Sequence, residues 1–359
     1  MHGNKSEKKH EMYFSFIIPA RDGVERLQRL LSSLAAHLQP GLMHEVIVVD
    51  DGSIPELSGQ LTGFEGRVIR LDTSHGPAHA RNVGAKEAKG GVLFFLDADV
   101  VYEAGAAEKA LSILDGHPDV GAVSFLNQPY DAQDGVVANF GAAMEFFWHV
   151  MLVPEGEDFG ECSGFTTRNG AVRREVFEAI HGFDTRYRTN AHEDYDIGRR
   201  LEAHSRTVIA GSPRLYHAFP ARLSRIARNY WVRTSLFVPY FLRFRPKMSA
   251  TQVTGSEAAL RLSAAAPLGL LFLACVPLPV PITVRLGLLA GAAALAGFYA
   301  YQIRAFLSAC QRWSGSTGFA VSAFALHYLT SLFILAGGVY GLWLHVRGSG
   351  PKELLSPIP

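Results

Sequence analysis

Short apolar runs alternate with amphipathic stretches along the first part of the chain. Runs rich in β-branched and aromatic residues predict strands, and apolar residues at helical spacing between them predict helices. The predicted strands are Phe14–Pro19, Glu45–Val49, Arg67–Leu71, Val92–Leu96 and Val120–Phe125, and the predicted helices are Val24–Leu38, Pro77–Ala88, Gly105–Leu114, Glu175–Ile180 and Tyr195–Ala203. Because strands and helices alternate, we expect an α/β fold with a mostly parallel sheet and right-handed crossovers. The stretch GAAMEFFWHV at 141–150 lies in a region that is predicted to be irregular.

The C-terminal part of the chain is apolar and nearly free of charge from about Ser263. Its three apolar stretches are Leu268–Val280, which continues through a proline-rich bend to Val284, then Leu286–Ile303 and Ala320–Val346. Each approaches or exceeds the roughly 20 residues that a helix needs to cross a bilayer. A buried core helix could explain one such stretch, but three in succession favour a membrane region of three transmembrane helices. The prolines of the bend leave open a re-entrant hairpin of the first stretch with the second.

Basic residues are concentrated ahead of the first apolar stretch. They are Arg222, Arg225, Arg228, Arg233, Arg243, Arg245, Lys247 and Arg261. Arg304 and Arg312 lie between the second and third stretches, and only Arg285 lies in the first short loop. Arg347 and Lys352, in the C-terminal tail, weakly oppose this charge bias. By the positive-inside bias, this pattern predicts a multi-pass protein of the cell membrane whose N-terminal domain is cytoplasmic.

Overall charge and cysteine content exclude several classes of protein. The formal net charge is +1, so no global field attracts nucleic acid, and we expect no nucleic-acid partner. Cys162, Cys275 and Cys310 are widely spaced and form no metal-ligand cluster or disulfide framework, which fits a reducing compartment. The run FSFII after the charged N-terminus is too short for the core of a signal peptide.

Acidic residues mark three places in the first part of the chain: VIVVDDGS ending at Ser53, LFFLDADV ending at Val100, and HEDYDIGRR ending at Arg200. The first two place carboxylates where an apolar strand ends, and in open α/β sheets ligands bind at that edge. Asp97 and Asp99 put two carboxylates two residues apart, an oxygen site suited to Mg²⁺ or Mn²⁺. Such an ion can carry a diphosphate, which is the chemistry of an enzyme that uses nucleotide sugars.

Taken together, the motifs resemble those of the family 2 inverting glycosyltransferases, which have the Rossmann-like GT-A fold. The matching segments are FIIPARDG, VIVVDDGS, GPAHARNVGAKEAKG, FFLDAD, NGAVRREVFEAIHGFD and HEDYDIGRRL, in the family's order as far as about residue 220. Two departures stand out. Arg21-Asp22 occupies the place where the family usually has Tyr-Asn, and the Gln-x-x-Arg-Trp signature of processive synthases is absent. The second departure favours transfer of a single sugar.

The resemblance implies a role for each acidic motif. The implied donor-binding residues are Pro19, Ala20, Arg21, Asp51, Arg81 and Asp97. Asp51 would accept a hydrogen bond from a pyrimidine base, Arg81 would contact the nucleotide or its phosphate, and Asp97 would contact the ribose or a metal-bound water. The implied metal ligands are Asp99 and Asp97, with His217 as a third. The implied catalytic pair is Asp194, the base that deprotonates the acceptor, and its neighbour Glu193.

Each of these residues also has an ordinary structural explanation. Asp, Gly and Ser are all turn formers, so DDGS could be a turn, and Arg81 could be a surface arginine on the first turns of a helix. A lone histidine such as His217 is as often a structural residue as a ligand. Carboxylates at a helix N-terminus also stabilise the helix, a role that could fall to Glu193 while Asp194 acts as the base.

Arginines at a spacing of three residues precede the apolar region. Arg222, Arg225 and Arg228 lie opposite apolar and aromatic residues, and further aromatic residues follow. A basic, aromatic and amphipathic stretch of this kind predicts an interfacial platform that contacts acceptor or lipid phosphate. The alternative is the solvated face of an ordinary helix.

The expected organisation is a charged tail at 1–12, a GT-A glycosyltransferase domain at 13–220, an amphipathic interfacial segment at 221–262, a membrane region of three helices at 263–346 and a tail at 347–359. The expected function is transfer of one sugar from a nucleotide sugar, with UDP as the leading nucleotide, to a lipid or lipid-linked acceptor such as polyprenyl phosphate at the cytoplasmic leaflet. Mg²⁺ or Mn²⁺ is the expected cofactor.

Three other functions are alternatives to this expectation. One is a non-catalytic membrane protein that binds nucleotide sugars on the same fold, and another is a transferase that acts on a polysaccharide or other non-lipid acceptor. The third is a dinucleotide-dependent oxidoreductase, which requires Gly-x-Gly-x-x-Gly after the first strand. The segment Ala20-Arg21-Asp22-Gly23 does not supply that motif.

Overall fold

The computed structural model describes residues 13–187, 192–244, 255–277 and 279–348. The described residues separate into two compact units. The first unit contains the residues up to Leu126 together with Glu155–Tyr216, and the second contains Asn127–Pro154 and the residues from His217 onward. The predicted tail at 1–12 and residues 349–359 of the tail predicted at 347–359 lie outside the described residues.

The first unit is built on one mixed sheet with helices on both faces. Its strands are β1 (Phe14–Ala20), β2 (His44–Asp51), β3 (Arg67–Leu71), β4 (Val92–Leu96), β5 (Val100–Val101), β6 (Val120–Asn127), β7 (Phe159–Glu161), β8 (Asn169–Arg173) and β9 (Arg206–His217). Its helices are α1 (Val24–His37), α2 (Pro77–Glu87), α3 (Ala106–Gly116), α5 (Arg174–Ala179) and α6 (Glu193–Glu202). The α/β fold predicted from the alternating pattern is therefore confirmed.

The strand order of the sheet is β3-β2-β1-β4-β8-β6-β9-β5, with β7 paired to β9. The neighbours β3, β2, β1 and β4 are mutually parallel, whereas β8 pairs antiparallel with both β4 and β6. Parallel strands end at one edge of the sheet, so the residues that follow β1, β2 and β4 lie beside one another. This is the edge at which open α/β sheets bind ligands.

Alternate residues of each central strand belong to two different apolar clusters, one on each face of the sheet. On β1, Phe16 and Ile18 pack in one cluster and Ile17 packs in the other. On β4, Phe94 and Phe95 are divided in the same way. A sheet covered on both faces needs continuous apolar runs, which explains why these strands were predicted from runs of apolar residues without polar alternation.

Strands β5, β7, β8 and β9 were not predicted. The five-residue β8, NGAVR, begins with asparagine and glycine, two residues that are depleted in strands. It forms a strand because it fills the gap between β4 and β6, where four of its five residues are buried. Pairing with distant segments, which local sequence does not encode, decides this part of the sheet.

The second unit is helical, and its first helix corrects a prediction. GAAMEFFWHV, predicted to be irregular, forms most of helix α4 (Val136–Val150). Eight consecutive or nearly consecutive residues of α4, from Ala138 to Phe146, are buried, so the helix has no polar face that would reveal its period. The unit's other helices are α7 (Leu223–Phe244), α8 (Gly255–Cys275), α9 (Ile282–Gln302), α10 (Arg304–Ser314) and α11 (Thr317–Val346).

Two described helices are long and apolar enough to cross a membrane by length and composition. They are α9, with 21 residues and a hydropathy of 1.6, and α11, with 30 residues and a hydropathy of 1.8. The first predicted span is apolar over the shorter segment Ala259–Cys275, and its helix ends ahead of Pro277. The prediction of three spans thus finds two candidates among the described residues, and the membrane itself stays a prediction.

A buried polar cluster joins α8, α9 and α11. The guanidinium of Arg261 donates to Ser331 Oγ at 2.7 Å and lies 3.2 Å from Nε2 of His327. Tyr299 Oη lies 2.6 Å from His327 Nδ1 and 2.8 Å from Ser331 Oγ. Arg261 therefore lies inside the helical unit, although it was counted among the basic residues that flank the first apolar stretch. Hydrogen bonds of this kind fix the register of apolar helices.

Two glycines let α11 pack directly against the backbone of α7. A Cβ atom on Gly337 would meet the carbonyl oxygen of Trp231 at 2.7 Å, and one on Gly341 would meet the carbonyl oxygen of Ser235 at 2.6 Å. Both distances are too short for real contacts, so only glycine fits at either position. The two glycines are four residues apart, as are the two residues of α7 that they contact. Small residues at this spacing are typical of closely packed membrane helices.

We expect Gly337→Ala and Gly341→Ala to destabilise the second unit. Each new methyl group would force α7 away from α11, at a cost of about 1–3 kcal/mol, the usual range for an overfilled interior. Gly338→Ala is the matched control, because its Cβ would meet only a Thr234 methyl carbon at 3.7 Å, an ordinary contact. Thermal unfolding in detergent measures the effect. Equal melting temperatures for all three variants would contradict the close packing.

Candidate functional site

A cavity of about 370 Å³ opens at the edge of the sheet where β1, β2 and β4 end. It lies entirely within the first unit. Its lining residues are Pro19, Ala20, Arg21, Asp22, Gly23, Arg26, Asp51, Ser74, Gly76, Pro77, Arg81, Asp97, Ala98 and Asp99. The structure therefore brings together at one cavity all six predicted donor-binding residues and the Asp97–Asp99 pair.

The loop after β1 forms one wall of the cavity through an unusual backbone. Asp22 and Gly23 both adopt left-handed conformations, with φ of 55° and 66°. Aspartate tolerates this region better than most residues, and glycine has no Cβ to clash. The Asp22 amide donates to Ser53 Oγ at 2.9 Å, and Asp22 Oδ1 accepts from the Ile54 amide at 3.2 Å. The loops after β1 and β2 are therefore held together.

The two aspartates at the end of β2 have different partners. Asp50 is fully buried and accepts hydrogen bonds from the amides of Ser53 and Leu57 and from Arg70, at 2.6–3.0 Å. Burial opposes ionisation, but these hydrogen bonds outweigh it and lower the pKa of Asp50. Asp50 is thus a structural anion that shapes the turn.

Asp51 holds the loop that precedes α2. Its carboxylate accepts hydrogen bonds from Ser74 Oγ and from the amides of His75 and Gly76, at 2.7–2.9 Å. Ser74 Oγ in turn accepts from Arg21 at 3.0 Å. The turn alternative and the cavity-lining position thus both apply to Asp51, and its contact with a nucleotide base stays a prediction.

Asp97 and Asp99 follow β4 and are partly exposed to the cavity. Burial, and then the negative charge of Asp97, raise the pKa of Asp99 to about 6, although Arg26 and Arg168 act in the opposite direction. Two carboxylates that repel each other at the mouth of an open cavity fit a divalent cation. Mg²⁺ and Mn²⁺ are commonly held by one or two carboxylates, with phosphates and water completing the coordination.

His217 was predicted from the family resemblance as a third metal ligand. Over the described residues, no group of three or more His, Cys, Asp and Glu side chains has the arrangement of a metal site. His217 belongs to the second unit, where its ring packs edge-on against Phe219 with 4.6 Å between the ring centroids. Its role as a ligand stays a prediction.

Arg81 is a buried cation in the cavity lining, with a side chain that is 1% exposed. Its Nη2 donates to Asp97 Oδ1 at 2.7 Å, and its Nη1 donates to Glu193 Oε1 at 3.3 Å. Burial opposes its charge, but Asp97 and Glu193 outweigh burial and raise the pKa of Arg81. The surface-arginine alternative is therefore wrong, and the guanidinium joins two of the acidic motifs.

The helix α6 presents the predicted catalytic pair at its first turn. His192 precedes it with φ of 85°, and the first turn carries three acidic residues. Glu193 is buried and faces Arg81, whereas Asp194 is half-buried and its Oδ1 accepts from the Tyr195 amide at 2.9 Å. Glu193 is therefore enclosed, while Asp194 retains some exposure. The catalytic role of either residue stays a prediction.

Asp196 and Arg200 anchor the same helix. Asp196 is fully buried and accepts from Arg200 Nε at 2.8 Å, and Arg200 also donates to the carbonyl oxygen of Ile180 at 2.7 Å. Gly198 has no Cβ because one would meet the amide nitrogen of Phe165 at 2.9 Å. These contacts fix α6 against the segments that contain Phe165 and Ile180 and so fix the position of its first turn.

Sequence reasoning missed several residues of the site. Arg26 and Ser74 line the cavity, and Asn82 clamps the HGFD segment through two hydrogen bonds with the backbone of Phe183, at 2.8 and 2.9 Å. Arg26 carried a readable signal, because it lies in the first turn of the helix that follows β1. Ser74 and Asn82 carried none, because their partners are distant in sequence.

The predicted acceptor-binding arginines belong to the second unit. Arg222 directly precedes α7, and Arg225 and Arg228 lie in its first two turns. All three side chains are exposed, and Ile226 and Ala227 between them are buried. The helix is therefore amphipathic at this end, as expected, and contact of the arginines with lipid stays a prediction.

Residues 15–180 match the family model described as glycosyl transferase family 2. The chain is 29% identical over 245 residues to the O-antigen biosynthesis protein RfbC of Myxococcus xanthus, a match that covers 63% of this chain and 19% of that protein. It is 31% identical over 194 residues to an uncharacterised glycosyltransferase of Haemophilus influenzae, covering 52% of this chain and 61% of that protein. The chain thus spans less than two thirds of either relative.

Among solved structures, the chain is similar to the mannosyltransferase PcManGT of Pyrobaculum calidifontis, solved with GDP-Man and Mn²⁺. The TM-score is 0.53 at 17% identity, and the match covers 93% of this chain and 88% of that one. At this identity the similarity bears on the fold, which is the GT-A type: a mixed sheet with a parallel core, followed by C-terminal helices.

Proposed function

We propose that the chain, whose residues 15–180 match the glycosyl transferase family 2 model, transfers one sugar from a nucleotide-sugar donor to an acceptor in glycan biosynthesis. The observation that carries the proposal is the cavity at the sheet edge, where Asp51, Asp97 and Asp99 meet three arginines. The cavity combines carboxylates, which suit a divalent cation, with guanidinium groups, which suit oxyanions. A nucleotide sugar bound with its metal ion presents these two charges, the cation and the diphosphate oxygens.

Asp97 and Asp99 would hold the divalent cation, Mg²⁺ or Mn²⁺. When bound, this ion supplies a positive charge that stabilises the leaving diphosphate. Arg21 and Arg26, exposed in the cavity lining, are placed to bind phosphate oxygens. Asp51 lies at the end of β2 and would bind the base, with UDP as the leading nucleotide.

Asp194 is the proposed general base. It would take the proton from the acceptor oxygen, which is a sugar hydroxyl of a lipid-linked glycan or the P–OH of a singly ionised phosphate, as that oxygen attacks the anomeric carbon on the side opposite to the leaving diphosphate. This single displacement inverts the anomeric configuration. It lies in the first turn of α6, and its partial exposure leaves it open to an acceptor. The presence of both Asp99 and Asp194 argues against a non-catalytic binding protein on this fold.

The proposed acceptor is a lipid or a lipid-linked glycan, such as a polyprenyl phosphate, at the cytoplasmic leaflet of the cell membrane. Large apolar side chains are exposed on the C-terminal helices, among them Phe272 at 68%, Val321 at 66% and Val339 at 64%. Exposed apolar surface of this extent favours a lipid environment. The RfbC relative is an O-antigen biosynthesis protein by name, which fits a glycan acceptor without identifying it.

The test of the proposed function is a screen of sugar donors with the full chain in detergent. UDP-, GDP- and TDP-sugars are supplied with Mn²⁺ or Mg²⁺, and release of the nucleoside diphosphate is measured with and without EDTA. We expect metal-dependent release from one class of donor. Absence of release from every donor, with or without lipid and polysaccharide acceptors, would contradict the proposal.

We expect the triple variant Arg222→Gln, Arg225→Gln, Arg228→Gln to lose use of a lipid acceptor much more than donor hydrolysis. Each basic residue near an anionic surface contributes about 1 kcal/mol to binding, so three together could change acceptor use by about 10²-fold. Both rates are compared in liposomes that contain anionic lipid. Equal loss of the two rates would assign the arginines to the donor, and no loss would return them to a solvated face.

A further inference from the structure

Arg81 connects two acidic motifs that are far apart in the sequence. One hydrogen bond reaches Asp97, at the end of β4, and the other reaches Glu193, the first residue of α6. Arg81 itself lies in α2, so a single side chain ties together a strand end and two helices. Because both the arginine and the glutamate are at most 3% exposed, solvent screens this contact little.

The surroundings of the guanidinium hold it in one orientation. The ring of Phe183 lies under it, with 5.3 Å between Cζ and the ring centroid. The next residue of α2, Asn82, fixes the backbone of Phe183 through two hydrogen bonds. A planar, stacked group with several donors can reach two carboxylates at once, whereas a lysine ammonium is a flexible point charge. The site is therefore specific for arginine.

We propose that Arg81 is a positioning residue that sets the place of Asp194 relative to the Asp97–Asp99 pair. This inference rests on the proposed function, because the distance between the Asp97–Asp99 pair and Asp194 matters only if the pair binds the donor and Asp194 is the base. The guanidinium holds Glu193, and Glu193 begins the helix whose second residue is Asp194. Donor binding and proton transfer are thereby kept in one geometry. The inference also revises the donor contact implied for Arg81 by family resemblance.

The two roles of Arg81 predict different kinetics. A residue that contacts the donor phosphate should raise the donor KM or Kd when it is replaced. A positioning residue should lower kcat while donor affinity changes little, since misplacement of a reacting group by about 1 Å can cost about 10²-fold in rate. Replacement of Glu193 then becomes informative, because Glu193 is the group through which Arg81 acts.

The experiment is a double-mutant cycle with Arg81→Gln, Glu193→Ala and the double variant. For each, kcat is measured on the best donor, and donor Kd and Mn²⁺ affinity are measured by calorimetry. We expect each single variant to lose about 10²-fold in kcat, and the double variant to lose about as much as either one, because the two residues act as a unit. Donor Kd should stay within about threefold of the wild type in Glu193→Ala, whereas in the two variants that lack Arg81 it also reports the loss of the guanidinium from Asp97.

Two further variants separate positioning from other roles. Glu193→Gln keeps an oxygen that can accept from Arg81, so we expect this variant to retain most of the turnover. If Glu193 were the general base, the same substitution would remove most of the turnover. Arg70→Gln is the control for loss of an arginine beside a buried carboxylate, since Arg70 pairs with Asp50 away from the cavity lining. It should lower the melting temperature and leave kcat nearly unchanged. The double variant also removes the buried carboxylate that Arg81→Gln leaves without the guanidinium, which keeps the test usable if Arg81→Gln folds poorly.

The outcomes are separable. Multiplicative losses in the double variant, or a raised donor Kd with unchanged kcat in Arg81→Gln, would overturn the positioning role while leaving the proposed function intact. Equal loss of kcat in Glu193→Gln and Glu193→Ala would make Glu193 itself the base. If the wild-type chain acts on no nucleotide sugar, the proposed function is wrong, whatever the variants show.

Discussion

Asp194→Asn is expected to lower kcat by about 10²-fold or more while donor affinity stays near that of the wild type, because a positioned general base is typically worth that much. The variant keeps the size of the side chain and an oxygen that can accept from the Tyr195 amide, so α6 should keep its first turn. What it loses is the ability to take the acceptor proton. The measurement is kcat with saturating donor and acceptor, alongside donor Kd by calorimetry.

Two other acids of α6 serve as comparisons for Asp194. Glu202→Gln, at the far end of the helix, is the matched control and should leave kcat within about threefold of the wild type. Asp196→Asn should instead lower the melting temperature, because Asp196 is buried and paired with Arg199 and Arg200. If Asp194→Asn retains wild-type turnover, the base lies elsewhere, with Glu193 as the next candidate.

The second large effect is expected for Asp99→Asn, which should abolish metal-dependent binding of the donor. Removing one of two carboxylates halves the negative charge that Asp97 and Asp99 offer to a divalent cation, and the amide binds it weakly. Calorimetric titration of Mn²⁺ and of a nucleoside diphosphate measures both affinities. Asp22→Asn is the matched control, because it changes another cavity carboxylate in the same way, and asparagine also tolerates the left-handed backbone at that position.

The same site predicts a dependence on pH. Without a cation, burial and the charge of Asp97 raise the pKa of Asp99 to about 6, so below this pH a proton occupies the group that the cation needs. Metal affinity of the wild type should therefore be highest above pH 6 and should fall as the pH drops below it. Asp99→Asn should lose this dependence. Retention of full donor binding in EDTA by the wild type would contradict the metal role altogether.

The parallel half of the fold could be predicted because its signals are local. In β1, β2 and β4, continuous apolar runs end in polar residues, and each prediction lies within two residues of the observed strand. The positions of Asp51, Asp97 and Asp99 followed directly, because parallel strands place their C-terminal ends at one edge. Family motifs added the order of the segments and the roles.

The rest of the fold depends on contacts between distant residues. Strand β8 forms between β4 and β6, and α4 is covered on nearly all sides, so neither shows the period of its own element. The same reason applies within the site. Nothing near Arg81 in the sequence announces Glu193, which lies more than a hundred positions away, and yet this contact decides whether Arg81 faces the donor or the protein.

The glycines of α11 show a further limit of prediction from apolar patterns. Hydropathy predicted a membrane span over Ala320–Val346, and the helix Thr317–Val346 is there, but hydropathy does not say which helix packs against it. The backbone contact of Gly337 and Gly341 with α7 gives that answer. The stretch predicted to be an interfacial platform is thus packed onto an apolar helix over its central part, which leaves its N-terminal arginines exposed.

The most direct test of the account is the anomeric configuration of the product. The full chain, with Mn²⁺ and the donor selected by the screen, is followed by NMR as the sugar of an α-linked donor is transferred or released. Single displacement at the cavity, with Asp194 as base, predicts that the β-anomer forms first and that its formation stops in EDTA. Initial formation of the α-anomer, or turnover that is unaffected by EDTA, would contradict the account.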